Sequence, residues 1–452
     1  MSVTTRMIAG AIALAVTMSF AGAASAQSKQ DIDRNLDGCE GKDNPSPDQR
    51  IKACTWLIQS GRWRGKDTAL FFYSRSLAHK DNKDNDKALV DINQAIQLDP
   101  KDADYLAQRC VLFVWKKTPD RAIQDCNLAI KIDPKNPSAW AFRGDAYSDK
   151  KDYDRAIQDY SEAIKIDQTW MWPFNDRGTA YAAKGDHDRA IQDFDQAIKL
   201  EPKNVLPYRN RGSSYSDKKQ YDRAIEDFNE AIRLDPKETS TYIDRGDAWD
   251  SKGDHDRAIA DYNEAIRLDP KSDRAFNNRG LTYFSMKQYD RAIADYNEAL
   301  KLDPKYVRSY FNRADAFAKK DDYARAALNY DEITRINPKH ANAWYGRCWA
   351  RALADQLVQA LKDCDESLRL TPNSVNTLDK RGFVYLKLGQ FDKAIADYDA
   401  VLKLEPKNTY SLYGRGFIKQ KRGDNAGGNT DIASAKAIQA DVAEEFAKFG
   451  VK

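Results

Sequence analysis

Histidine is scarce. The 452-residue chain has four, so a metal centre or catalytic site built on imidazole has few parts to draw on. An excess of one charge is missing too: 72 lysines and arginines stand against 69 aspartates and glutamates, a formal net charge of +3. That balance excludes a protein that binds nucleic acid chiefly by neutralising phosphates. Catalytic signatures are absent as well. There is no His-Glu-x-x-His, no Gly-x-Ser-x-Gly and no Gly-x-Gly-x-x-Gly after a strand, and Gly65-Lys66 lacks the rest of a phosphate-binding loop. The sequence therefore reads as non-enzymatic, with no catalytic residue, metal site or cofactor. What it does hold is core-forming material: 42% apolar residues, 23 Tyr and 9 Trp argue for a packed chain rather than a disordered one.

The first segment reads as an address. Arg6 is the only charge before Lys29, Met7 to Phe20 is mostly apolar, and Ala24-Ser25-Ala26 offers a small-x-small cleavage site. The apolar run falls short of the roughly 20 residues that a spanning helix needs. Residues 1–26 are thus expected to be a signal peptide, cleaved near Ala26, for export to the periplasm or beyond. No membrane span is expected.

Beyond it the dominant signal is a repeat. A hydrophobic residue, an acid or its near relative, and a proline recur at Leu98-Asp99-Pro100, Ile132-Asp133-Pro134, Leu200-Glu201-Pro202 and Leu234-Asp235-Pro236. The series continues to Leu404-Glu405-Pro406 at a constant interval of 34 residues, with Gln168 replacing the one missing proline. Each period holds two helical patterns. In residues 205–238, Tyr208, Gly212 and Tyr215 mark the first helix, and residues 217–220 make a turn. Asp222 is the expected N-cap of the second, whose buried face is Ala224, Ile225, Phe228, Ala231 and Ile232. Pro236 is expected to end it.

The pattern resembles the tetratricopeptide repeat. The aromatic, small and alanine positions of that family appear as Trp140, Gly144, Tyr147, Ala156, Tyr160 and Ala163, and again as Tyr242, Gly246, Trp249, Ala258, Tyr262, Ala265 and Pro270. The resemblance implies an all-α fold, a right-handed α-solenoid superhelix of about ten to eleven helix-turn-helix repeats. Residues 27–68 form a Cys-containing N-terminal capping segment, 69–408 ten repeats, and 409–452 a degenerate eleventh repeat with a C-terminal capping helix. It further implies an inner groove, lined by the first helices, that binds a peptide or protein segment.

Two in-phase series depart from the family. Repeat position 7 is arginine from Arg75 to Arg415, and position 23 is aspartate from Asp91 to Asp431 except at Asn329. Equal numbers in strict phase favour structural pairs over an anion-binding ladder, since charges near the interior persist when partnered. The aspartates also have a basic neighbour one turn back, such as Arg155 to Asp159. The second departure concerns cysteine. Cys110 and Cys126 fill positions 8 and 24 of one repeat and Cys348 and Cys364 the same positions of another, with Cys39 and Cys54 left over. In an exported chain these read as three disulfides. His187 and His255 occupy a turn position held by tyrosine in sister repeats, and read as surface residues.

By family analogy positions 2, 5, 9 and 12 line the groove. They are polar in the middle of the chain (Asp145, Thr179, Ser213, Asp247) and apolar towards its end: Leu281, Phe284, Tyr345, Trp349, Phe383, Leu386, Tyr413 and Phe417. That later stretch is the expected partner-binding surface, because an apolar patch needs a cover. The residues that would clamp a chaperone's terminal carboxylate are not there: Ala141 with Asp145, Asn175 with Thr179 and Arg209 with Ser213 stand in their places. The expected function is an interaction scaffold for an unidentified protein segment. The alternative is a regulatory or structural subunit of an envelope assembly or enzyme complex, without a ligand groove of its own. The segment Ile432 to Phe449 has helical spacing and is expected to cap the end of the stack, leaving Leu281, Phe284, Tyr345 and Trp349 without an intramolecular partner.

Overall fold

The computed structural model describes residues 26–451, so the expected leader lies outside the described residues but for Ala26. Among the described residues every regular element is a helix. The chain divides into two compact units between Leu234 and Asp235. The first holds α1 (Ala26–Glu40), α2 (Pro47–Gln59), α3 (Lys66–Asp81), α4 (Asn85–Leu98), α5 (Ala103–Trp115), α6 (Pro119–Ile132), α7 (Pro137–Asp149), α8 (Tyr153–Ile166), α9 (Met171–Ala183), α10 (His187–Leu200), α11 (Val205–Asp217) and α12 (Tyr221–Leu234). The second holds α13 (Thr239–Lys252), α14 (His255–Leu268), α15 (Asp273–Ser285), α16 (Tyr289–Leu302), α17 (Val307–Lys319), α18 (Tyr323–Ile336), α19 (Ala341–Leu353), α20 (Leu357–Leu370), α21 (Val375–Lys387), α22 (Phe391–Leu404), α23 (Thr409–Lys421), α24 (Asn425–Ile438) and α25 (Val442–Lys448). Within each unit every helix packs on the next. The fold is an α-solenoid.

The same local chemistry is stamped on each hairpin. The turn between its two helices passes through a left-handed residue at repeat position 15, glycine at Gly185, Gly253, Gly389 and Gly423 but lysine at Lys83, Lys117, Lys151, Lys219 and Lys287. The next residue caps the second helix. Asp152, Asp186, Asp254 and Asp322 each accept the backbone N–H three residues on. That position is Gln220 in the repeat 205–238, and Asp222 lies inside the first turn of α12 rather than at its cap. The prolines do not set the helix ends either. α12 stops at Leu234, two residues before Pro236, and α8 stops at Ile166 where the proline is replaced by Gln168. What recurs is an extended polar residue after the last turn, such as Asp167 with φ −132° and ψ 97° or Asn337 with φ −136° and ψ 92°.

Inside each hairpin a small residue on the first helix lets an aromatic ring of the second lie against its backbone. A Cβ added to Gly144 would sit 2.6 Å from the Tyr160 ring, and one on Gly178 2.7 Å from Phe194, so neither position tolerates a side chain while the ring is there. Where the ring becomes cysteine, the space opens for a second cysteine opposite. Cys110 is bonded to Cys126 and Cys348 to Cys364, across the hairpins α5–α6 and α19–α20, and Cys39 to Cys54 across α1–α2. All six are buried. This steric coupling is why both positions change together.

Candidate partner-binding groove

The arginine–aspartate series forms part of the scaffold. Arg211 donates from Nε and Nη2 to the two carboxylate oxygens of Asp227, at 2.9 and 2.6 Å, and Arg143, Arg177, Arg279 and Arg381 repeat the fork. Each pair joins the two helices of one hairpin. The aspartate side chains are nearly sealed, Asp227 being 7% exposed against 21% for Arg211. Burial pushes the Asp227 carboxyl above its usual range, while the hydrogen bonds and charge of Arg211 pull the other way. The third nitrogen of the fork reaches a partner the sequence reading missed. It binds position 25 of the preceding hairpin: Asn93 for Arg109, Asp195 for Arg211, Asp365 for Arg381. One arginine thus ties its own hairpin together and to the one before. Asn329 replaces the aspartate without breaking the contact, Arg313 Nε donating to its Oδ1 at 2.7 Å. The helical neighbour Arg155 pairs with the cap residue Asp152 rather than with Asp159, because the cap carboxylate lies one turn back on its own exposed side.

The first helices of successive repeats touch one another, α7 with α9 in the first unit and α19 with α21 and α21 with α23 in the second, and among the described residues no comparable contact joins the second helices of adjacent repeats. The first helices therefore form the inner wall. On α7 and α9 that wall carries carboxylates. Asp145 on α7 accepts from the Tyr160 hydroxyl at 2.8 Å, and Asp176 on α9 accepts from Asn175 at 3.0 Å. Burial pushes Asp176 up to about 6. Asp145 is raised well above the carboxylate range, by burial first and then by the charge of Asp176.

From α19 to α23 the wall becomes aromatic, and it is covered. The expected helix from Ile432 to Phe449 is broken at Gln439–Asp441 into α24 and α25. Gln439 adopts φ −139° and ψ 105°, at the place where the other repeats end their second helix. The break turns α25 away from the end of the stack: α24 leaves Ala433 and Ala437 exposed and Ile438 50% exposed. α25 instead packs on the inner wall. The Phe446 ring lies 5.7 Å from Phe383 and 4.6 Å from Tyr413, and stacks at 6.4 Å on Tyr410. Phe449 sits edge-on at 5.6 Å to Trp349 and 6.3 Å to Phe383. The Tyr410 hydroxyl donates to Glu445 at 2.6 Å, and Lys448 lies 3.4 Å from Asp321.

The eight residues expected to line the groove thus fall into three groups. Phe383 and Leu386 are buried in the cluster that receives the tail, with Trp349, Tyr413 and Phe417 packed against it. Trp349 does have an intramolecular partner, contrary to the expectation, because the break at Gln439 sends the tail back along the wall rather than across the stack's end. Phe284 packs within its own hairpin, 5.5 Å from Tyr289. Tyr345 is half-buried, and Leu281 stays 41% exposed. The tail's reach had one legible signal in the aromatic pair Phe446 and Phe449, but nothing in the sequence said how tightly the wall curves.

Among the described residues no group of three or more His, Cys, Asp and Glu is placed to hold a metal ion, and no helix is long and apolar enough to cross a membrane. The molecule is of the class of helical-hairpin repeat scaffolds. Models of the tetratricopeptide repeat match residues 69–102, 144–185, 175–239, 246–287, 274–306, 311–375 and 380–408, and the chain belongs to that family, whose members bind protein or peptide partners. A protein prenyltransferase alpha subunit repeat also matches residues 119–148.

Solved structures similar to the chain include MamA, 28% identical, covering 36% of this chain and 95% of that one with a TM-score of 0.33. A tetratricopeptide repeat protein from Parabacteroides merdae is 18% identical and covers 55% and 98%, with a TM-score of 0.45. YrrB, described as a protein of this family with an unusual peptide-binding site, is 20% identical over 41% and 95%, with a TM-score of 0.33. No curated protein matches the chain.

Proposed function

We propose that the chain is a non-enzymatic interaction scaffold, exported to the bacterial envelope, that binds a peptide or protein segment along the inner wall of its second unit. The observation that carries this reading is the wall's composition where α25 lies. Trp349, Phe383, Tyr410 and Tyr413 come from three successive first helices and hold a short helix by its aromatic rings, and clustered aromatic anchors of this kind dominate binding energy at protein interfaces. Export is supported by three disulfides, which persist in oxidising compartments, and by the leader-like run before Ala26.

The test is affinity capture from the native envelope with the full chain as bait, beside Leu281→Asp and Trp349→Ala, each checked for unchanged thermal unfolding. A discrete partner that is lost with a variant of unchanged stability is the expected result. Partners retained by both variants would move the site elsewhere. The failure of all three baits to capture any partner would favour the alternative, a structural subunit without a ligand groove.

A further inference from the structure

The tail is the part of the molecule that the repeat architecture leaves unexplained. A terminal helix in a solenoid ordinarily shields the last repeat's open face, yet α24 keeps that face exposed and α25 lies on the inner wall. Its hold is narrow. α25 spans seven residues, too few to be helical without the wall beneath it. Val442 and Phe446 are its buried side chains, and just beyond it Phe449 adds a half-buried ring and Val451 a buried side chain. Polar ties to the wall include the hydrogen bond from Tyr410 to Glu445 and an ion pair with Asp321 whose two side chains are 62% and 61% exposed. Glu444 and Lys448 face solvent. The wall beneath has charge as well as rings. Lys380 Nζ lies 4.5 Å from the centroid of Trp349 and 4.7 Å from that of Tyr410, and it is paired at 3.0 Å with the buried Asp379.

Resting on the scaffold reading above, we propose that residues 442–451 are a built-in occupant of the groove, and that the external partner is a short amphipathic helix with the same chemistry, which binds by displacing them. The pattern is an acidic residue followed directly by an aromatic one, with a second aromatic three residues later, as in Glu445, Phe446 and Phe449. Two rings at that spacing lie on one helix face, and they reach Tyr413 with Phe383 and Trp349 with Phe383 respectively. The acid meets Tyr410, whose hydroxyl donates to it. Occupation by the tail keeps the aromatic wall covered when no partner is bound, and it sets a threshold, because a partner must outcompete a tethered segment at high effective concentration.

A dye-labelled peptide of residues 439–452 tests this. It is titrated into the full-length wild-type chain and the full-length double variant Phe446→Ala, Phe449→Ala, with circular dichroism confirming that both are folded. The expected result is binding to the variant at least tenfold tighter than to wild type. The affinity should fall at least tenfold when the peptide carries Phe446→Ala, and also fall when it carries Glu445→Lys. Equal affinity for the two chains, or no binding to a folded variant, overturns the proposal. If the double variant unfolds, Phe449→Ala alone takes its place with the same two outcomes, its ring being half-buried. The two readings fail separately. A captured envelope partner that the peptide does not compete away leaves the scaffold intact and sinks the pseudo-ligand. Absence of any partner sinks the scaffold reading and the displacing partner with it, while the peptide's affinities still decide whether the tail occupies the groove.

Discussion

The inner wall of repeats 137–204 and that of repeats 341–442 stand on the same hairpin but carry opposite chemistry. In the first, Asp145 and Asp176 stand on the inner helices and burial holds both carboxyls above their ordinary range. In the second, the position of Asp145 is taken by Trp349, Phe383 and Phe417, and the chain's own tail lies across them. The scaffold beneath does not change. Arg177 grips Asp193 in one region as Arg381 grips Asp397 in the other, each with one nitrogen left for the preceding hairpin. The difference teaches that the repeat separates its two tasks by position. Positions 7, 8, 23 and 24 hold the hairpins together, and position 9 is free to vary with what the groove meets.

If the scaffold is common to both regions, breaking it should cost the same in each. Arg211→Met and Arg381→Met should each lose about 3 kcal/mol, the low end of the range for breaking a buried pair because about a fifth of each arginine side chain is exposed. Adding Asp227→Leu or Asp397→Leu should restore much of the loss, as read by denaturant unfolding. A markedly cheaper Arg381→Met would mean that the tail, rather than the ion pair, holds the second region.

The acidic wall should respond to pH. A carboxyl whose folded pKa is raised favours folding below its unfolded value, near 3.8, and loses that contribution as pH rises through the folded value. For Asp176, pushed to about 6, the window is pH 4 to 6. The first unit should therefore gain from this site on acidification from pH 7 to 5, and Asp176→Asn should keep that gain at pH 7, about 1–2 kcal/mol. A variant no more stable than wild type at pH 7 would show that the wall is wetter than its burial implies.

The covered wall predicts smaller effects on folding. Phe449→Ala removes a half-buried ring at the end of the chain and should lower global stability by about 1 kcal/mol or less, while making the tail the first site of proteolytic nicking. Smallest of all are the turns. Lys219→Gly should stabilise by up to about 1 kcal/mol, since lysine sits there at φ 58°, and Gly389→Lys should lose a similar amount. Unequal changes would show that the two turns bear different loads.

Much of this was legible because it repeats. The 34-residue phase places Arg211 against Asp227, and the paired cysteines at positions 8 and 24 declare their own partners, because both features sit within one hairpin. The ties to position 25 stayed hidden, since Asn93, Asp195 and Asp365 look like ordinary surface residues until the neighbouring hairpin is set beside them. The N-cap was misread by two residues because Asp222 and Gln220 compete in a turn that tolerates either. The aromatic pair Phe446 and Phe449 hinted at a contact, but the reach of Phe449 to Trp349 was not legible from it. That reach depends on the break at Gln439 and on the curvature summed over several hairpins, and no pair of residues encodes either.

The central claim is that an aromatic wall built for a partner is covered by a segment that can leave it. Native-state hydrogen exchange on the unmodified chain addresses it directly, comparing the amides of α25 with those of α23. The account predicts that α25 exchanges by local opening, with protection at least a hundredfold below that of α23 and little dependence on denaturant. Equal protection for the two helices, rising and falling together as denaturant is added, would make the tail a fixed part of the fold and contradict it.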